Sequence, residues 1–327
     1  MINGDRGLSL SARGAIAALN LTLRPFGAVL PANRVGVAAA RLGLAVACRS
    51  FFDPMLAHTP VDTRGPRRRL VGEWVGERPA PGNKLIYYLH GSGYVGCSPA
   101  THRGLVSELS RRLDRPAFAL RYRLAPEHRF PAAHDDVLNG YLWLLANGYA
   151  ASDIVVIGDS AGGHMALGLC IQLLGMGIER PCAMVGFSAL VDSTWSLAAQ
   201  RSTEIRDCFM SLGLGSRMTG LYTGTTQFDD PRLNVLDGVG PDLPPILLQA
   251  GGGEMLSADA EYFAAAQRAA GGHCDVHIYP GMFHVFQMAH RLLPESRAAL
   301  SEVQRFIADV EARCDADHSD GGRVHGE

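Results

Sequence analysis

The chain has 327 residues, 47% of them apolar and 19% charged, with 30 Lys and Arg against 32 Asp and Glu. That supplies a core for one large or two ordinary domains and excludes a disordered chain, a collagen-like fibre and a coiled coil. A formal charge of −2 gives no electrostatic footprint for a nucleic-acid partner, and seven scattered cysteines without a CxxC pair point to buried thiols in a reducing, cytoplasmic compartment.

The first thirty residues carry Asp5, Arg6, Arg13 and Arg24 and lack the apolar stretch and cleavage site of a signal peptide. Val35 to Phe52 is Ala-rich and apolar, but Arg41 and Arg49 interrupt it, which favours an amphipathic helix over a membrane span. Residues 1–65 therefore read as helical and apolar, a covering segment whose outer face leaves a peripheral lipid contact open. The basic run Arg64, Arg67, Arg68 and Arg69 reads as solvated surface.

From about residue 70, strands and helices alternate. Leu85-Ile86-Tyr87-Tyr88-Leu89 is a continuous apolar run, the pattern of a strand buried on both faces. Leu105, Val106, Leu109 and Leu113 mark one face of a helix that must end before Pro116. Ala117 to Tyr122 reads as strand and Val137 to Leu145 as helix. Ile154-Val155-Val156-Ile157, closed by Gly158, is the strongest strand, and a helical pattern from Ala161 to Leu174 follows it. Strands at Ala183–Phe187, Ile246–Gln249 and Val276–Tyr279, with helices at Glu261–Ala270 and Pro294–Val310, complete an α/β pattern. The expected architecture is a mostly parallel sheet with helices on both faces. Asp192 to Pro241 is too long for a plain loop and predicts an inserted subdomain, and Arg313 to Glu327 predicts a frayed tail.

Gly158-Asp159-Ser160-Ala161-Gly162-Gly163 places G-x-S-x-G between that strongest strand and a helix. A nucleophilic serine needs this arrangement: a sharp turn lifts its hydroxyl above the sheet, and the helix N-terminus favours negative charge. A Gly-rich phosphate loop or an ordinary strand-to-helix turn is the competing reading. His90-Gly91-Ser92-Gly93-Tyr94 follows the Leu85–Leu89 strand and can aim backbone N–H groups at an oxyanion. Tyr94 and Asp159 are candidates for lining a substrate pocket, with simple packing the alternative for the tyrosine. His284, in Gly281-Met282-Phe283-His284-Val285-Phe286, follows the last strand and supplies a base in the chain order serine, acid, histidine. Glu254 stands at the carboxyl end of the Ile246–Gln249 strand and is the candidate acid, with Asp259 its rival. Twelve histidines without HExxH or ligand spacing suggest no metal, and the chemistry calls for no organic cofactor.

HGSGY, Tyr122-Arg123-Leu124-Ala125-Pro126-Glu127, Phe130-Pro131-Ala132-Ala133-His134-Asp135-Asp136, GDSAGG and GMFHVF, in this order over roughly residues 70 to 310, resemble the hormone-sensitive-lipase-like family of serine carboxylesterases. The resemblance implies an α/β-hydrolase fold over 66–312, capped by residues 1–65 and by the insertion near 192–241, ahead of the tail at 313–327. It implies Ser160 as nucleophile, His284 as base and Glu254 in the place of an acid that is usually aspartate. Gly91, Ser92, Gly93 and Ala161 match the oxyanion hole. Glu127, His134, Asp135 and Asp136 fall in bracing motifs, outside the chemistry. Ser92 replaces the middle glycine of His-Gly-Gly-Gly, and Glu254 reaches one methylene further than the family's aspartate.

Ester hydrolysis through an acyl-enzyme follows as the expected activity, with activity rising through about pH 6.5 as the imidazole becomes neutral. Amide or lactone hydrolysis uses the same machinery. A ligand-binding protein on this fold, like the gibberellin receptors that lack the catalytic histidine, is the alternative from another class. The expected partner is a small-molecule ester, and homo-oligomerisation is left open.

Overall fold

Strands β3 (Leu85–Leu89) and β5 (Ile154–Asp159) are wholly buried, and their alternation explains why the sequence shows no polar side. Leu85, Tyr87, Leu89, Ile154 and Val156 join one apolar cluster, while Ile86, Tyr88, Val155 and Ile157 join a second. Each face needs a helical cover. Burying one such aliphatic or aromatic side chain contributes about 1.5–3 kcal/mol, so two covered faces give this pair of strands most of their stability.

The computed structural model describes residues 7–22, 24–25, 36–43, 55–91, 93–226 and 230–321. The remaining strands are β1 (His58–Arg64), β2 (Arg69–Val75), β4 (Ala117–Leu120), β6 (Ala183–Phe187), β7 (Ile246–Gly251) and β8 (Cys274–Tyr279). They form one eight-stranded sheet in the order β1-β2-β4-β3-β5-β6-β7-β8. β2 is antiparallel to both β1 and β4; all later pairings are parallel. The helices are α1 (Leu10–Leu21), α2 (Pro99–Leu113), α3 (Ala132–Ala146), α4 (Ala161–Gly175), α5 (Ser196–Arg201), α6 (Leu212–Thr223), α7 (Ser257–Ala269) and α8 (Pro294–Gly321), with a further helical stretch over 36–43. Leu105 and Leu109 of α2 and Val303 and Ile307 of α8 cover one face of the sheet. Val137 and Tyr141 of α3, Met165 and Leu169 of α4 and Phe263 of α7 cover the other.

Two expected boundaries are corrected. The hydrolase unit begins at His58 rather than 66, because residues 58–64 form the edge strand β1. Only Val61 of that strand is even half-buried, so no apolar alternation announces it. The tail expected to fray from Arg313 is instead helical to Gly321, where α8 continues through the helix-favouring Glu311, Ala312 and Arg313. Arg68 and Arg69 of the basic run serve the hairpin, pairing with Asp135 and Asp62 respectively. The expected helix over Val35–Phe52 is described only at 36–43; there Arg41 donates to the carbonyls of Val95 and Ala125.

The insertion contains α5 and α6 and no strand among its described residues. α1 packs Ala12, Ile16 and Leu19 against Met282, Phe283 and Phe286, so the N-terminal segment lies against the loop that carries His284. Among the described residues no helix is long and apolar enough to cross a membrane.

Candidate active site

Ser160 joins β5 to α4 with φ 51° and ψ −121°, a region that disfavours a side chain and costs on the order of 1–3 kcal/mol. The turn is held open by what surrounds it. Ser160 N donates to Phe187 O at 2.8 Å, and Ser160 O accepts from the amides of His164 and Leu190. Gly162 is required by close approach, since a Cβ there would lie 2.0 Å from the Leu89 carbonyl oxygen. The G-x-S-x-G spacing thus records how tightly α4 passes the end of β3 and projects the serine hydroxyl beyond the sheet.

That hydroxyl meets the predicted base. Ser160 Oγ lies 3.0 Å from His284 Nε2, and His284 Nδ1 lies 2.5 Å from Glu254 Oε2. The acid loop after β7 and the histidine loop after β8 are locked by Gly252 N to Tyr279 O at 2.7 Å and Gly253 N to Met282 O at 2.8 Å. Glu254 is fully buried, and its other oxygen accepts from Gly251 N at 2.7 Å and Ser188 Oγ at 2.6 Å. Ser188 in turn accepts from Val285 N at 2.9 Å, so one serine braces the acid and the histidine loop together. Burial opposes a charged imidazole, but Glu254 above all, then Asp207 and Asp159, outweigh it and raise the His284 pKa. The rival acid, Asp259, is occupied elsewhere. It accepts from the amides of Val191 and Asp192 at 2.8 and 2.9 Å, and burial pushes its carboxyl up to about 7.

The Gly91 backbone lies against the Asp159 carboxylate, which helps to hold that carboxyl ionised. The contact also explains the glycine, because a Cβ on Gly91 would lie 2.1 Å from Asp159 Oδ2. Gly93 follows at φ 54°, and Ala161 opens α4, where first-turn amides have no intrahelical acceptor. Ser92 lies outside the described residues.

Both residues proposed for the pocket are buried and engaged by neighbouring side chains. Asp159 is buried beneath the loop, accepting from Tyr88 OH at 2.7 Å, with His102 Nε2 at 3.4 Å. Burial would raise its carboxyl, but His102 and the hydrogen bonds from Tyr88 and Gly91 hold it below the ordinary value. Tyr94 is fully buried, stacked on Tyr222 at 4.4 Å between ring centroids, with its hydroxyl 2.9 Å from His164 Nδ1. In both cases the sequence shows proximity to the serine but not the direction of the side chain.

The bracing motifs stay outside the chemistry. Arg123 forks onto Asp136, Asp135 pairs with Arg68 and Arg232, His134 meets Tyr222 OH at 2.8 Å, and Glu127 pairs with Arg41. A recess of about 410 Å³ beside β2, lined by Arg68, Arg69, Arg121, Arg123 and Asp136 among others, shares no residue with the serine–histidine–glutamate constellation. Three of those four guanidiniums are already paired with Asp62, Asp135 or Asp136.

Sequence reading missed three residues. Ser188 was findable, since it follows β6 at the same sheet end as Ser160 and Glu254. Asp207 and Phe209 carried no signal: they lie in the insertion, far along the chain from the groups they approach. The Phe209 ring is 5.2 Å from that of His284.

A serine on a tight strand-to-helix turn, a buried acid and a histidine between them gather at the carboxyl ends of parallel strands, the arrangement of a nucleophile elbow with its partners. The family model for the alpha/beta hydrolase fold matches residues 86–288. The chain is 34% identical over 244 residues to the carboxylesterase/phospholipase LipF of Mycobacterium tuberculosis, a match covering 72% of this chain and 65% of LipF. It is 33% identical over 242 residues to the esterase LipU of the same organism, covering 72% of this chain and 81% of LipU. A solved esterase of the bacterial hormone-sensitive lipase family superposes with a TM-score of 0.80 at 30% identity, covering 91% of this chain and 97% of the other. The chain belongs to the α/β-hydrolase family, in its hormone-sensitive-lipase-like branch.

Proposed function

We propose that this chain is a serine carboxylesterase that hydrolyses short-to-medium acyl esters through an acyl-enzyme on Ser160. The observation that carries the reading is the unbroken relay from Ser160 Oγ through His284 to Glu254, at 3.0 and 2.5 Å. In this reading His284 Nε2 takes the Ser160 proton as Oγ attacks the ester carbonyl, and the tetrahedral oxyanion turns towards the Ala161 and Gly93 amides. Nε2–H then protonates the departing alcohol, water repeats the attack on the acyl-serine, and the acid leaves with the enzyme restored. Glu254 keeps the proton on Nδ1 and stabilises the imidazolium that forms. Phe209 beside His284 and Met218 of α6 against Gly93 give the acyl site apolar, confined walls, which supports short and medium chains over long ones. The cysteine usage supports a cytoplasmic site of action.

The test is a series of p-nitrophenyl esters from acetate to palmitate, read as kcat/KM across pH. The expected maximum falls between acetate and octanoate, with palmitate about tenfold or more below it. Because His284 reacts only when neutral and its pKa is raised, the rate is lost as pH falls through a value above the ordinary ~6.5 of an imidazole. A p-nitroanilide turned over faster than its ester, or a profile flat from pH 5 to 8, contradicts the reading.

A further inference from the structure

Asp207 lies in the insertion between α5 and α6, buried against the triad rather than in the cap's own core. Its Oδ1 accepts from the amides of Phe209 and Met210 at 2.8 and 3.1 Å. Its Oδ2 accepts from Met255 N at 3.1 Å, the amide next in sequence to Glu254. Its carbonyl oxygen accepts from Arg24 Nη1 at 2.6 Å, from the N-terminal segment. The N-terminal segment, the inserted subdomain and the acid loop therefore meet at one residue, and the turn it organises puts Phe209 against the His284 ring.

We infer that Asp207 is a positioning residue: it docks the cap onto the Glu254 loop and sets a second carboxylate behind the His284–Glu254 pair, so that the seating of the cap and the basicity of the histidine are coupled. The inference rests on the proposed triad. The charged groups facing His284 are Glu254 from the loop after β7, Asp207 from the insertion and Asp159 from the end of β5. Cys208, beside Asp207, adds no charge, because burial pushes its thiol up to about 12. Burial and then Glu254 raise the Asp207 carboxyl, with His284 and the Phe209 and Met210 amides opposing them. Both its oxygens face N–H donors, which suits the anion and leaves a carboxyl proton without an acceptor.

The experiment compares the full-length wild type with Asp207→Asn, Asp207→Glu and Ser160→Ala on p-nitrophenyl butyrate, with thermal unfolding measured alongside. Asp207→Asn is expected to lower kcat about tenfold or more with KM within about threefold, and to move the acid limb of kcat/KM to lower pH. Asp207→Glu, which keeps the charge, is expected to hold the limb at its wild-type position. If Asp207→Asn does not fold, Asp207→Ser, whose hydroxyl still accepts from the turn amides, takes its place with the same expected shift. A purely structural role predicts losses of rate and stability together with an unmoved limb, and that result overturns the inference. Unchanged kinetics in Asp207→Asn beside an inactive Ser160→Ala also overturns it and leaves the triad intact; an active Ser160→Ala overturns the triad itself.

Discussion

Replacing Ser160 by alanine is expected to lower kcat on p-nitrophenyl butyrate by about 10⁶-fold, with thermal stability close to the wild type. The stability expectation follows from the turn. Alanine also carries a Cβ, so the φ of 51° is no more strained, and the backbone bonds to Phe187, His164 and Leu190 are untouched. What is lost is Oγ, the atom 3.0 Å from His284 Nε2, and with it the covalent route. Any residual rate comes from the oxyanion donors and from binding, which do not need the serine. Steady-state kinetics on purified protein decides the matter; a variant within about a hundredfold of wild type contradicts the assignment.

Glu254→Gln is the second large effect, and the surroundings of the carboxylate set its direction. One oxygen already accepts from Ser188 Oγ and Gly251 N. The glutamine carbonyl must stay on that side, because its NH₂ would face two donors. The NH₂ is then turned to His284 Nδ1, which can only accept from it. The imidazole proton moves to Nε2, and the nitrogen facing Ser160 can no longer take the serine proton. A fall in kcat of about 10³- to 10⁴-fold, with KM little changed, is expected. Asp259→Asn, by contrast, keeps an oxygen for the Val191 and Asp192 amides and leaves turnover within a few-fold. The reverse ranking of these two variants would move the acid role to Asp259.

The parts of this site that the sequence made legible are those fixed locally. The elbow can be read because strand, turn and helix are contiguous and because close approach at Gly162 leaves only glycine. Glu254 can be read because active groups on parallel sheets gather at strand carboxyl ends. β3 and β5 can be read because both their faces are buried, whereas β1, an edge strand with one half-buried valine, has no such pattern. Direction and long-range contact were not legible. Asp159 and Tyr94 sit next to the reacting groups in sequence yet turn into the core. Ser188 and Asp207 act on Glu254 and its loop across 66 and 48 residues of chain, respectively, separations that no periodicity encodes.

Rapid acid quenching of wild-type enzyme mixed with p-nitrophenyl butyrate, followed by peptide mass spectrometry, tests the relay most directly. A butyryl group is expected on the peptide 158–163, at Ser160, and is expected to be absent from Ser160→Ala. Turnover with that peptide unmodified, or the butyryl group found on another residue, would contradict covalent catalysis at Ser160.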